Sequence, residues 1–157
     1  MSVLVPMADS EFDGFLAALI PGYSADKVAA GQWSEEESLE LSRKLIAEIL
    51  PQGIATQDHS FFTILGEDGA TRVGVLWIVR KLQAGKPIAH IYDIEIEPEH
   101  QRQGHATRAL NALEAMAPDL GVTGIALHVF GHNASAQALY AKLGFEIKGI
   151  SMFKALE

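Results

Sequence analysis

The sequence predicts an α/β fold, also classed α+β, and three observations carry that expectation. Several stretches place apolar residues at three- and four-residue steps, the spacing of an amphipathic helix. Others are short runs rich in β-branched and aromatic residues, and Gly- or Pro-containing turn signals separate the two kinds. Read in order, they give βααβββαβαβ.

Residues 3–7 form a short first strand. Residues 10–29 follow as a helix with Phe12, Phe15, Leu16 and Leu19 at helical spacing and an interruption near Pro21-Gly22. Ser34-Glu35-Glu36-Glu37 reads as a capping box, in which the Ser34 hydroxyl accepts from the Glu37 amide and the Glu37 side chain reaches back to the Ser34 amide. Leu39, Leu41, Leu45, Ile46, Ile49 and Leu50 continue that second helix until Pro51-Gln52-Gly53 stops it. Residues 60–65 and 72–80 flank Gly66-Glu67-Asp68-Gly69 and predict an antiparallel hairpin. A further strand over 88–96 follows the turn at Ala84-Gly85-Lys86-Pro87 and is closed by Pro98, which cannot donate to a ladder. Ala106, Ala109, Leu110, Leu113 and Met116 define a helix over 104–117, ended by Pro118 and Gly121. A strand over 125–130, a helix capped by Asn133 and ended at Gly144, and closing strands over 145–154 complete the chain.

No linker or repeat divides the 157 residues, so one domain over 1–157 is expected, long enough to bury about two thirds of its unfolded surface without metal or disulfide. The chain has no cysteine, which excludes a disulfide framework, a thiolate zinc site and a cysteine nucleophile. Of the six histidines, His90, His100, His105, His128 and His132 show no pair at i, i+4 spacing on a predicted helix, so no metal is expected. A formal net charge of -8 argues against nucleic acid as a partner; it solubilises the surface and also favours a cationic substrate. The absence of a basic, apolar leader and of an apolar run of about 18 residues leads to the expectation of a cytoplasmic protein with no membrane partner.

The segment with most chemistry in it is the junction from Ile91-Tyr92-Asp93-Ile94-Glu95-Ile96 through Gln101-Arg102-Gln103-Gly104-His105-Ala106 into a helix. The first amides of a helix lack intrahelical partners and carry partial positive charge, so a loop here suits a pyrophosphate. Gly104 permits close backbone approach, Arg102 and Arg108 add charge, and Ala106 leaves room. Neither a P-loop ending in Lys-Ser/Thr nor a Gly-x-Gly-x-x-Gly fingerprint is present.

Gln101-Arg102-Gln103-Gly104-His105-Ala106 fits the Gln/Arg-x-x-Gly-x-Gly/Ala pattern of the GNAT superfamily of N-acetyltransferases, and the chain resembles that family. The preceding Ile94-x-Ile96-x-Pro98 and the downstream stretch from Leu127 through Asn133 and Tyr140 to Gly144-Phe145 are similar to the family's flanking signatures. The resemblance implies a central mixed, mostly antiparallel twisted sheet flanked by about four helices, with acetyl-CoA held where two strands splay apart. It implies a pyrophosphate site at Gln101, Arg102, Gln103, Gly104, His105, Ala106 and Thr107, pantetheine contacts from Ile94, Glu95, Ile96 and Asn133, and an oxyanion donor in the Ile96 amide. Tyr140 would protonate the departing thiolate, with acetyl passing directly to a primary amine of a small molecule, peptide or protein.

The residues leave the general base open. Glu95 is the first candidate and Asp93 shares its strand face by alternation; His90 is expected on the opposite face, and His128 comes from the neighbouring strand. Phe12, Phe15, Tyr23 and Trp33 either line an acceptor pocket or form core. A silent acyl-CoA sensor is the alternative function, and a homodimer is one option for an oligomeric state the sequence leaves open.

Overall fold

Seven consecutive residues of the central strand, from Val73 to Val79, are buried, a run that strands acquire only when both faces of the sheet are covered. The computed structural model describes residues 3–156. The elements run β1 (Leu4–Pro6), α1 (Asp9–Ala29), α2 (Glu35–Ile49), β2 (His59–Leu65), β3 (Arg72–Gln83), β4 (Lys86–Ile96), α3 (His105–Leu120), β5 (Ile125–Leu127) and α4 (Ala134–Lys142). The five strands form one sheet in the order β1-β2-β3-β4-β5. The first three pairings are antiparallel, and β5 joins β4 in parallel after the α3 crossover. This is the mixed, mostly antiparallel sheet with four helices that the sequence predicts.

Alternation along β3 sorts its side chains into two cores. Leu76 and Ile78 join Phe62, Ile64 and Ile91 beneath Ala109, Leu110 and Leu113 of α3. Val75 and Trp77 join Phe61 beneath Phe12, Phe15 and Leu19 of α1 and Ile46 of α2. Glu11 fixes α1 to the sheet, accepting a 2.9 Å bond from Thr63 and pairing with Arg72 at 3.4 Å.

Several local expectations are corrected. Pro21 does not interrupt α1, which runs unbroken for 21 residues. The proline removes one helical hydrogen bond, but packing on α2 holds the turn: Ser42 donates to the Ile20 carbonyl at 2.7 Å and Ser24 to Ser38 at 2.7 Å. Pro118 likewise lies inside α3, which stops at Gly121 in the left-handed conformation, φ 69°. Ser34 is the N-cap of α2 but makes no side-chain capping bond, so the reciprocal box does not form. The Ser34 side faces water and the first turn relies on Glu35, Glu36 and Glu37 against the helix dipole.

The end of the chain differs most. The strand expected over 125–130 pairs only at 125–127, and no strand forms over 145–154. Among the described residues, no backbone hydrogen bond joins 146–156 to the sheet, and a strand without a ladder partner is simply extended chain.

The most consequential irregularity is in β4. Its register against β3 shifts by one residue at Tyr92, with Ile91 opposite Ile78 but Asp93 opposite Trp77. This β-bulge marks the point where β4 and β5 part, because their last paired residues are Ile91 and Leu127. Beyond the bulge, Gly74 sits opposite Ile96, and a Cβ on Gly74 would lie 2.2 Å from the Glu95 carbonyl oxygen.

Gly74→Ala is therefore expected to destabilise the protein by about 1–3 kcal/mol through overpacking. Gly14→Ala, on α1 with nothing within 4 Å of the added Cβ, should stabilise it by roughly 0.5–1 kcal/mol. Urea midpoints of the two variants moving in opposite directions check both.

Candidate active site

The gap between β4 and β5 is lined by main chain. The Glu97 amide donates to Val73 at 2.8 Å, so the odd-numbered residues of this end of β4 bond towards β3. By alternation, the backbone groups of Ile94 and Ile96 face the gap. The Gln101 side chain reaches back and donates to the Ile96 carbonyl at 3.0 Å.

The mouth of the gap is the start of α3. Arg102 at φ 61° and Gly104 at φ 83° both take the left-handed conformation, which turns successive amides of the loop to one side as an anion-binding nest. The Arg108 amide, bonded to the Gly104 carbonyl at 3.1 Å, is the first with an intrahelical acceptor, leaving the amides of His105, Ala106 and Thr107 without one. The loop is braced from below by Arg108, which reaches the Gln103 carbonyl at 3.1 Å, the His105 ring at 2.8 Å and Glu67 at 3.5 Å. Arg108 thus supports the loop from within, and Arg102 is the exposed cation at its rim. The His105 ring is buried, with its pKa lowered by desolvation first and by Arg108 second, so this residue offers a ligand its amide rather than its side chain. Gln103 reaches the Glu99 carbonyl at 3.4 Å.

Inside the gap, the bulge sets the chemistry. Residues directly opposite in an antiparallel pair share a face, and Asp93, Glu95 and His90 stand opposite Trp77, Val75 and Val79. His90 therefore lies on the face of Asp93 and Glu95, not the opposite one: the extra residue at Tyr92 inverts the alternation. Burial first, then Lys81 and His128, lowers the His90 pKa and keeps the ring neutral. Asp93 is held in the reverse sense. Burial foremost, with the charges of Glu95 and Asp26, pushes its carboxyl up to about 8, and its Oδ2 is buried without a hydrogen-bond partner. Glu95 opens to the cleft and is raised as well, by partial desolvation and by Asp26.

Asp26 is a member of this group that the sequence did not reveal. It lies one helical turn after Gly22, where an added Cβ would come within 4.0 Å of a Glu95 carboxylate oxygen, and it pairs with His132 at 3.5 Å. The i, i+4 spacing of Gly22 and Asp26 puts them on one face of α1, but nothing local says which strand that face meets. Tyr140 approaches from α4. It is half-buried, and burial followed by the Asp93 charge raises its pKa, so the phenol lies within electrostatic reach of the Asp93 carboxyl. Asn133 caps α4 by accepting from the Ala136 amide at 3.3 Å.

A cleft of about 650 Å³ continues between α1 and β4, lined by Phe15, Ala18, Gly74, Asp93, Glu95 and Ile96. Of the four aromatic candidates, Phe12 belongs to the core and Phe15 serves both core and cleft. Tyr23 and Trp33 face one another at 5.7 Å and, with Phe130, surround the Lys27 ammonium at 5.5–6.0 Å. His128 packs edge-on against Phe130 at 5.1 Å. The one cluster of metal-ligand type among the described residues, Glu97, Glu99 and His100, is at the surface with Glu97 already paired to Arg72. Among those residues, no helix is long and apolar enough to cross a membrane.

Residues 23–145 match the acetyltransferase (GNAT) family. The chain is 34% identical over 155 residues to the uncharacterised N-acetyltransferase YycN of Bacillus subtilis, covering 98% of both, and 31% identical over 153 residues to YdgE of the same organism, covering 98% of this chain and 97% of that one. The crystal structure of YycN superposes with a TM-score of 0.91 over 98% of each chain. AAC(6')-Iy, solved with a CoA-S-monomethyl-acetylneamine bisubstrate analogue, shares the fold at a TM-score of 0.61 and 14% identity, over 98% of this chain and 97% of that one. With the splayed strands and the amide-lined loop in place, these likenesses establish that the chain is an acyltransferase of the GNAT family.

Proposed function

We propose that the protein transfers the acetyl group of acetyl-CoA directly to a primary amine of a cationic small molecule, peptide or protein. The observation that carries this reading is the parting of β4 from β5 beyond Ile91 and Leu127, at a gap whose mouth is a nest of unpaired amides. The loop over 101–107 holds the pyrophosphate through main-chain N–H groups, with Arg102 adding charge. The backbone of Ile94 and Ile96, with the adjoining Glu95 and the start of α4 at Asn133, borders the pantetheine arm. The CoA-linked analogue bound by AAC(6')-Iy supports CoA as the donor in this fold.

In this reading the acceptor enters from the cleft between α1 and β4. Asp26, Asp93 and Glu95 attract it as an ammonium ion. Its proton passes to Asp93, the more deeply enclosed carboxylate and so the better base; Glu95 tunes Asp93 by charge. The neutral nitrogen attacks the thioester carbonyl, the Ile96 amide donates to the developing oxyanion, and the C–S bond breaks as Tyr140 donates its proton to the thiolate; the nitrogen's second proton passes to the Tyr140 phenolate and Asp93 releases its own to water. No residue becomes acylated and no metal enters the step.

Calorimetry with acetyl-CoA, followed by thiol detection across a panel of amines, tests the whole reading; failure to bind the coenzyme overturns it. Gly104→Ala places a Cβ 2.9 Å from the Arg108 guanidinium at a positive φ, a strain expected to weaken acetyl-CoA binding about tenfold or more. Tyr140→Phe should lower kcat by about 10²-fold, within the range for loss of a general acid, while leaving acetyl-CoA affinity unchanged.

The pH dependence follows from Asp93. As the base it must be ionised, so kcat/KM should rise through pH about 8. Glu95→Gln removes a charge that opposes this ionisation and should move the rise to lower pH. Because the folded pKa lies above the unfolded one, the native state holds the extra proton between about pH 4 and 8, and stability falls as pH rises through that window. Asp93→Asn should therefore raise Tm at pH 9 relative to the parent, and not at pH 4; an unchanged Tm difference across that range would remove Asp93 as the group responsible.

A further inference from the structure

The cleft proposed for the acceptor has both flanks filled by cations of the chain itself. At one flank Arg72 lies between Glu11, at 3.4 Å, and Glu97, and all three line the cleft. At the other, Lys27 sits among aromatic rings. Gly22 and Asp26 turn towards the β4 carboxylates: a Cβ on Gly22 would reach Glu95, and both Asp93 and Glu95 feel the Asp26 charge. Tyr23 and Lys27 are the next positions round α1 and share a face, which meets Phe130 three residues beyond the end of β5.

Lys27 is held as a ligand would be. Its Nζ stands 5.5 Å from the Tyr23 centroid, 5.6 Å from Trp33 and 6.0 Å from Phe130, and donates to Gln32 Oε1 at 2.7 Å. Three rings and one oxygen acceptor supply the recognition chemistry of a substituted ammonium ion. The walls do not depend on the side chain they enclose. The amides of Gln32 and Trp33 fold back on the Lys27 carbonyl at 2.9 and 3.4 Å, the Trp33 ring packs edge-on against Tyr23 at 5.7 Å, and Phe130 stacks on His132, the partner of Asp26, at 5.6 Å. A cage built from backbone bonds and ring contacts keeps its shape when the lysine is shortened.

We propose that Lys27 determines acceptor specificity by occupying a cation subsite beside the acceptor cleft, so that the reaction is confined to amines carrying one positive charge. This specificity presupposes the amine acetylation proposed above and names its acceptor class. A tethered ammonium competes at an effective concentration on the order of millimolar or more, which excludes the second cation of a diamine or polyamine. Arg72 closes the opposite flank in the same way, by neutralising Glu11 and Glu97. The acceptor is left with Asp26, Asp93 and Glu95 for one ammonium and with Phe15, Ala18 and Val75 for a neutral body.

Tetramethylammonium, which cannot be acetylated, reads the subsite without catalysis. In Lys27→Ala it is expected to shift the indole N–H resonance of Trp33, binding at least about tenfold more tightly than in the parent, and to leave that of Trp77, 2% exposed in the core, unmoved. Lys27→Met refills the cage with an uncharged chain and should behave as the parent. Across a series of α,ω-diamines, kcat/KM relative to the alkylamine of equal length should rise about tenfold or more in Lys27→Ala at the length that reaches the cage, and not in Lys27→Met. Retained acetyl-CoA affinity reports that each variant is folded. No Trp33 response in folded Lys27→Ala, an equal response in the parent, or an equal diamine gain in Lys27→Met would each overturn the proposal. A parent that prefers diamines overturns it without any variant. If no amine is acetylated, the reaction itself fails and the subsite is judged by the Trp33 resonance alone.

Discussion

The active-site architecture depends on one extra residue in β4. With Tyr92 bulged out of register, β4 bends away from β5, and backbone groups that would otherwise complete a ladder face an open gap. The same insertion inverts the alternation, bringing His90 onto the face of Asp93 and Glu95. Bulges combine these effects because the inserted residue has no opposite number, so pairing and side-chain phase change at the same point. The rest of the fold accommodates the bend. Gly74 lets β3 stay close to β4 beyond the bulge, and α1 crosses above it to enclose the carboxylates.

Electrostatics then divide the site into two halves of opposite character. At the mouth, unpaired helix amides and left-handed loop residues provide partial positive charge without mobile side chains, and Arg108 is used to hold the loop in shape. Inside, Asp26, Asp93 and Glu95 crowd one another. A carboxyl enclosed with two like charges resists ionisation, which is why Asp93 is displaced to about 8; Tyr140 is raised above the ordinary phenol range by burial first and by the Asp93 charge second. In the proposed function, a negative coenzyme and a positive acceptor would be drawn to opposite ends of the site, with the groups proposed to exchange protons between them.

Much of this was legible in the residues. Helix periodicity, the hairpin turns and the strand-to-helix junction at Gln101-Arg102-Gln103-Gly104 all appear where expected, because each is set by neighbours within a few positions. The Asn133 cap forms for the same reason. The failures are of another kind. Pro21 and Pro118 carry a local preference for breaking a helix that packing overrides. Arg108 reads as a phosphate ligand until its neighbours Glu67 and His105 are seen, and Asp26 has no local mark at all. The bulge is silent too: a β-rich run of eleven residues looks the same with or without a shifted register.

The sequence by itself determined the order of strands and helices as far as α4, the phosphate-type loop and its membership of a family, since these rest on short-range periodicity, capping and backbone freedom. Tertiary structure alone decided which carboxylate is enclosed, that α1 contributes Asp26, and that the last eleven described residues find no ladder within their own chain. Those outcomes depend on contacts between residues tens of positions apart, whose energies come from desolvation and from the geometry of facing elements. No local pattern encodes either.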